Sequence, residues 1–327
     1  MKKTLGLLLA AGLIIVQGCA APKVNLFTDS TDPYKEYTLS GTQTPKVLVI
    51  QANGTIAEGP SKGLLRDRPG MVPDIVAQLK LAAEDDQIKA VVLKINSPGG
   101  TVTASDILYH ELTAYKEKSG SKLVAVLMGV AASGGYYIAL PADRIVAHPT
   151  TITGSVGVIF LQPKVEGLME KIGVGVDVSK SGDKKDMGSP FRASTPEETR
   201  LLQDLTDHLG LRFVDLVTRH RTLSPEALAQ IRSARIFLAD EARQLGLVDQ
   251  IGYVEDAIQS AKTLAGLPND AKVVTYRRAE FPDDTVYNEV GTKSMLSEPN
   301  LIHIDLVGSM DALGSGFFYI WPPAAGL

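Results

Sequence analysis

The 327-residue chain contains one cysteine, one tryptophan and five histidines, and only 6% of it is aromatic. A single cysteine excludes an intrachain disulfide framework and any zinc or iron–sulfur site built from several cysteines. Neither sign of charge dominates: 33 basic and 37 acidic residues give a formal charge of −4. With no long basic block, the balance argues against a nucleic-acid partner. No internal repeat is found, and that absence bears on the mechanism below. What remains is ordinary for a globular protein, 44% apolar and 21% charged. That composition excludes a wholly disordered chain, and the length suits one large domain or two modest ones.

The cysteine is informative through its position. Lys2 and Lys3 precede an unbroken non-polar run from Leu5 to Val16, followed by Gln17-Gly18-Cys19. Twelve helical residues reach only about 18 Å, well short of the ~30 Å hydrocarbon core of a bilayer. A basic start, a short apolar core and a small residue before a cut describe a secretory signal, here residues 1–18. Val16-Gln17-Gly18-Cys19 resembles the bacterial lipobox, whose cysteine is diacylated and becomes the first mature residue. The expectation is an exported protein, lipid-anchored at Cys19 to the extracytoplasmic face of a bacterial membrane. Residues 19–45 are polar and turn-rich and read as the tether.

From Lys46 the pattern changes. Val47-Leu48-Val49-Ile50 and Ala90-Val91-Val92-Leu93-Lys94-Ile95 read as buried strands, and residues 72–84 and 102–118 as helices. A strand over 123–127 and another over 174–178 follow. Thr195-Pro196-Glu197-Glu198 has the form of a capping box with proline at the first helical position. The helix it opens runs to about Arg221, with Leu201, Leu205, Leu209 and Phe213 on one stripe. Ser224-Pro225-Glu226 repeats the start signal, and 240–245 and 254–264 look helical. Alternating strands and helices indicate an α/β domain, here residues 46–267, with a less regular extension over 268–327. The extension's apolar run, Phe317 to Trp321, has three readings: packing on the body, touching a membrane, or lying in a peptide groove.

Glycine-rich junctions carry the chemistry. Ser133 follows a buried strand, behind two alanines and ahead of Gly134 and Gly135. Small neighbours allow a tight strand-to-helix turn that presents the hydroxyl, a relative of the G-x-S-x-G elbow with Ala131 in place of the first glycine. The plain alternative is a helix-capping serine. Asn96-Ser97-Pro98-Gly99-Gly100 ends another strand, where α/β sheets place their sites, and successive glycines let the backbone approach a ligand. A phosphate loop is disfavoured, since the lysine and hydroxyl of that motif are missing.

A nucleophilic serine needs a base. His110, His208 and His220 fall within helices, His303 lies in the irregular tail, and His148 reads as a loop residue at a strand end. The rival base is a lysine in Ser181-Gly182-Asp183-Lys184-Lys185-Asp186. Lysine acts as a base only when its surroundings lower its pKa from ~10.4 toward neutrality.

Together these segments resemble the signal peptide peptidase A family of serine–lysine peptidases, in its short form. The matching elements are Asn96-Ser97-Pro98-Gly99-Gly100, Ala132-Ser133-Gly134-Gly135-Tyr136-Tyr137, Thr153-Gly154-Ser155-Val156-Gly157-Val158 and Lys180-Ser181-Gly182 with Lys185-Asp186. Arg235-Ile236-Phe237, Ala242, Gly246-Leu247-Val248-Asp249 and Gly252 complete the set. They keep the family order across residues 46–267, roughly two-thirds of the chain.

The resemblance implies the Clp-protease/crotonase-like superhelix of ββα units, with a single catalytic domain per chain. It implies Ser133 as nucleophile, Lys185 as general base, and Ser155 as the hydroxyl that orients the lysine. Gly100 and Gly134 would supply the oxyanion-hole N–H groups, with no metal or cofactor; His148 is left without a role. It further implies cleaved signal peptides and other apolar peptides as substrates, and a homo-oligomer. Members with two repeats carry serine and lysine in different halves; one unrepeated unit implies an active site shared between subunits. Two other readings are a non-catalytic lipoprotein scaffold and a crotonase-like acyl-CoA enzyme, the latter disfavoured by export.

Overall fold

A computed structural model describes residues 32–60, 69–288 and 316–325. Its first half comprises β1 (Lys35–Ser40), β2 (Gln43–Asn53), α1 (Met71–Glu84), β3 (Ile88–Ser97), β4 (Gly99–Thr101) and α2 (Val102–Ser119). β5 (Lys122–Ala132), α3 (Gly134–Tyr137), β6 (Arg144–Ala147), β7 (Ile152–Gly154), β8 (Ile159–Leu161) and α4 (Glu166–Ile172) follow. Then come α5 (Pro196–His220), α6 (Pro225–Arg232), β9 (Ile236–Leu238), α7 (Ala239–Gln244) and β10 (Gln250–Ile251). α8 (Val254–Leu264), β11 (Ala271–Arg277) and β12 (Gly316–Ile320) close the order.

The main sheet runs β1-β11-β2-β3-β5-β6-β10, with β7 continuing beside β5 and β9 beside β7. Its central pairs are parallel, and β1 is antiparallel to β11. Both faces are covered, which explains why the central strands read as continuous apolar runs. Side chains alternate: Val47, Val49, Val92, Val124 and Val126 meet α8 through Val254, Ala257 and Ala261. Leu48, Ile50, Val91, Leu93 and Leu127 point the other way, onto Ile75 and Leu79 of α1 and Leu108 and Leu112 of α2. Full burial of each such side chain contributes ~1.5–3 kcal/mol. β4, β12 and β8 form a second, three-stranded sheet.

Local signals place the helices where the sequence puts them. The Thr195 hydroxyl accepts from the Glu198 N–H, and Glu198 accepts from the Thr195 N–H, so the capping box opens α5 as expected. Ser224 caps α6 in the same way.

Three expectations change. The sheet runs past both expected domain boundaries. β1 and the start of β2 lie within the stretch read as a tether, and β11 lies within the stretch read as an extension, inserted between β1 and β2. Their pairing is long-range, Tyr37 opposite Thr275 and Val49 opposite Thr275 from the other side, and no local pattern announces it. No strand forms over 174–178, where Val174, Val176 and Val178 are about half exposed (50%, 48% and 52%). On α5, Phe213 is buried as expected, but Leu201 and Leu205 face outward. Among the described residues, no helix is long and apolar enough to cross a membrane. The signal segment and Cys19 lie outside the described residues.

Candidate active site

Ser133 directly follows β5 with φ 53° and ψ −118°, a conformation that costs a non-glycine residue ~1–3 kcal/mol and persists only where its surroundings enforce it. Those surroundings are specific. Its N–H donates to the Gly154 carbonyl at 2.8 Å, and its carbonyl accepts from the N–H groups of Tyr136 and Tyr137, each at 2.9 Å. The residue is fully buried, at 0% exposure, and its hydroxyl lies 3.5 Å from the Gly157 carbonyl, at the limit of a hydrogen bond. The small residues foreseen in the sequence thus build a strand-to-helix elbow.

Beside the elbow stands β4. The Gly99 carbonyl accepts from the Ile56 N–H (2.9 Å), and the Thr101 N–H donates to the Ile56 carbonyl (3.1 Å). Alternation along a strand turns the intervening Gly100 N–H to the opposite side. Gly99 has φ +100°, and a Cβ there would stand only 2.7 Å from the Gly134 nitrogen. Glycine at this position is what lets the two backbones approach. Ser133 and Gly134 therefore lie against the Gly99-Gly100 strand.

Ser155 joins them through the backbone. It too has positive φ, 51°, and its N–H donates to the Arg235 carbonyl at 2.9 Å. Its neighbour Gly154 is the residue that receives the Ser133 N–H, so the two serine turns are one hydrogen-bonded junction.

No hydrogen bond joins Lys185 to Ser133 among the described residues. Lys185 is exposed in a turn, its N–H bonded to the Gly182 carbonyl at 3.0 Å, and its ammonium makes no hydrogen bond or ion pair with any described residue. Its neighbours are firmly tied. Lys184 pairs with Glu197, while Asp186 receives Lys180 and Arg192 at 2.8 Å each. Arg192 also reaches the buried Glu198 at 2.9 Å. Hydrogen bonds from Arg192 hold the Asp186 carboxyl well below its ordinary range. Arg192, with the Thr195 N–H, lowers Glu198 to about 2. The lysine is thus displayed from an anchored turn.

His148 sits just beyond β6, its ring nitrogen 2.9 Å from the Thr150 hydroxyl and its ring edge-on to Tyr253. It is a loop residue. The apolar run Phe317 to Trp321, left open between packing, membrane contact and a peptide groove, contains β12, which pairs antiparallel with both β4 and β8.

The model for peptidase family S49 matches residues 115–268, and the model for Clp protease matches residues 68–152. A protein of Enterococcus faecium provisionally named signal peptide peptidase SppA is 32% identical over 300 residues, covering 90% of this chain and 87% of that one. The chain belongs to peptidase family S49. A Synechocystis protein provisionally named a protease is 41% identical over 251 residues, covering 77% of this chain and 85% of its own. Protease 4 of Salmonella typhi is 36% identical over 223 residues; the match takes in 68% of this chain and 35% of that longer one. As an S49 member the protein is a serine peptidase, and its α/β architecture is of the Clp-protease/crotonase-like type expected.

Proposed function

We propose that the protein is a membrane-anchored serine endopeptidase that degrades cleaved signal peptides and other apolar segments with a Ser133–Lys185 dyad. The observation that carries this reading is the buried Ser133 elbow set against the Gly99-Gly100 strand. Neutral Lys185 takes the proton of the Ser133 hydroxyl as Oγ attacks the scissile carbonyl. The N–H groups of Gly100 and Gly134 stabilise the tetrahedral oxyanion, and Ser155 orients the lysine. The lysine ammonium then protonates the leaving amine, and water hydrolyses the acyl-enzyme. Serine–lysine dyads are an established variant of triad chemistry.

Lys185 comes from a neighbouring copy in this reading. Its turn is exposed and makes no hydrogen bond to its own buried Ser133, and the segment around it presents apolar side chains to solvent. Leu168, Ile172, Val174, Val176, Val178 and Phe191 are all exposed. An apolar surface of this extent marks an interaction site, and burial against a second subunit would supply the desolvation a basic lysine needs. Cys19 carries the lipid that holds the oligomer at the extracytoplasmic face of a membrane.

The test is covalent labelling of Ser133 by a fluorophosphonate or peptide aldehyde, read by mass spectrometry. Labelling of the wild-type protein and its loss in Lys185→Ala support the dyad. Labelling that is equal in both proteins removes Lys185 from the mechanism. A protein that is neither labelled nor active on an apolar peptide favours the scaffold.

A further inference from the structure

Lys185 is followed directly by an acid, Asp186. A carboxylate next to a lysine favours the ammonium, the form that cannot accept a proton. A basic lysine at this position therefore needs the neighbouring negative charge cancelled by other groups. The turn supplies two cations for it. Lys180 reaches Asp186 Oδ1 at 2.8 Å. Arg192 closes on the same carboxylate with its fork, Nε on Oδ2 at 2.8 Å and Nη2 on Oδ1 at 2.9 Å. Nη2 also donates to the Asp186 backbone carbonyl at 3.2 Å. Both carboxylate oxygens are thus committed to cations other than Lys185.

The clamp rests on a helix start. Arg192 Nη1 lies 2.9 Å from Glu198 Oε2, and Nη2 bonds Glu198 Oε1. Glu198 is buried, at 2% exposure, and its Oε2 also accepts the Thr195 N–H at 2.9 Å, as part of the capping box that opens α5. A planar guanidinium bridging two carboxylates fixes distance and angle together, which an ammonium does not. The Arg192 backbone is held as well, its carbonyl accepting from the Lys164 ammonium at 2.9 Å. Lys184 pairs with Glu197, also in the first turn of α5. The charged groups of the junction are Lys180, Asp183, Lys184, Asp186 and Arg192 on the lysine's own segment, with Glu197 and Glu198 on α5. Within the clamp, Lys180 and Arg192 balance Asp186 and Glu198, leaving no net charge.

Resting on the Ser133–Lys185 reading above, we propose that Arg192 is a positioning residue for the general base. Its fork cancels the charge of Asp186 and fixes the Lys185 turn to the start of α5. Loss of Arg192 leaves a net negative charge beside Lys185, which then holds its proton to higher pH. Loss of the Asp186 charge leaves a net positive one, and the proton leaves at lower pH. The two changes act in opposite directions on one ionisation.

The experiment uses the full chain, as the assembled protein, and measures kcat and KM on an apolar signal-sequence peptide as a function of pH. Fluorophosphonate labelling of Ser133 and Lys185→Ala run in parallel. In Arg192→Gln the acid limb of the kcat/KM profile moves up by about half a pH unit. There kcat at neutral pH falls by about tenfold, with KM within about twofold of wild type. Arg192→Lys keeps the charge but not the fork, so the limb stays in place while kcat falls. Asp186→Asn moves the limb down, and the Asp186→Asn, Arg192→Gln double variant returns it to the wild-type position. A purely structural arginine lowers the rate at every pH and leaves the limb unmoved. That result in Arg192→Gln, with activity still lost in Lys185→Ala, overturns the inference and leaves the dyad standing. If Arg192→Gln fails to assemble, Asp186→Asn decides, and an unmoved limb there overturns the inference. Wild-type activity in Lys185→Ala, or a wild-type protein neither labelled nor active, removes the dyad and the inference with it.

Discussion

The Ser133 N–H and the Gly154 carbonyl share a 2.8 Å hydrogen bond, which ties the Ser133 turn to the turn that carries Ser155. Both serines hold positive φ, so each strained turn braces the other. The bond lies at the far end of β5, where β7 pairs alongside through Ala132 and Gly154. Position and orientation of Ser133 thus depend on a glycine outside its own motif.

Gly154→Ala tests that dependence. Gly154 has φ +87°, and a Cβ there would stand 2.5 Å from the Phe237 ring and 2.9 Å from the Arg235 carbonyl. The strain and the contact together should cost about 2 kcal/mol and lower the thermal midpoint by about 5 °C. Labelling of Ser133 should slow by about tenfold as the elbow relaxes. A variant with unchanged midpoint and unchanged labelling would show that the junction is not strained.

Lys185→Ala separates chemistry from stability. Its ammonium has no partner among the described residues, so the folded chain loses little when it is removed. The thermal midpoint should stay within about 2 °C of wild type, while kcat/KM falls by about a thousandfold or more. A large loss of stability with residual activity near wild type would point to a structural lysine.

The Asp186–Arg192–Glu198 network predicts an acid response. Both carboxyls are held below their ordinary values by Arg192. Groups with depressed folded-state pKa values stabilise above their unfolded values, and that contribution is lost as pH falls through the folded values. The turn should therefore stay anchored at pH 5 and loosen only as pH falls from about 4 toward about 2. NMR titration of the Glu198 side chain should give a midpoint near 2 that returns toward the ordinary glutamate value in Arg192→Ala. An ordinary midpoint in the wild type contradicts the network.

Sequence alone carried the central parallel strands, because burial on both faces leaves long runs such as Ala90 to Ile95 with no other reading. It carried the start of α5, whose capping box is written in four adjacent residues, and the elbow at Ser133, whose small neighbours are local. It missed what depends on distant partners. β1 is polar because most of its residues face solvent at the sheet edge, and only its pairing with β11 makes it a strand. Residues 174–178 alternate as a strand should, yet among the described residues no strand pairs with them. The run Phe317 to Trp321 kept three readings because the pairing of β12 is set by Gly100 and Phe160, far away in sequence. The proposed reach of Lys185 to the serine of a neighbouring copy would be a further relationship of this kind.

The central claim is that one chain supplies Ser133 and its neighbour supplies Lys185. It is tested most directly by mixing Ser133→Ala and Lys185→Ala subunits, each inactive alone, and measuring peptide cleavage across mixing ratios after subunit exchange. The account predicts recovered activity that peaks at intermediate ratios, since mixed assemblies contain sites with both residues intact. No recovery at any ratio, in assemblies shown to be mixed, would contradict it.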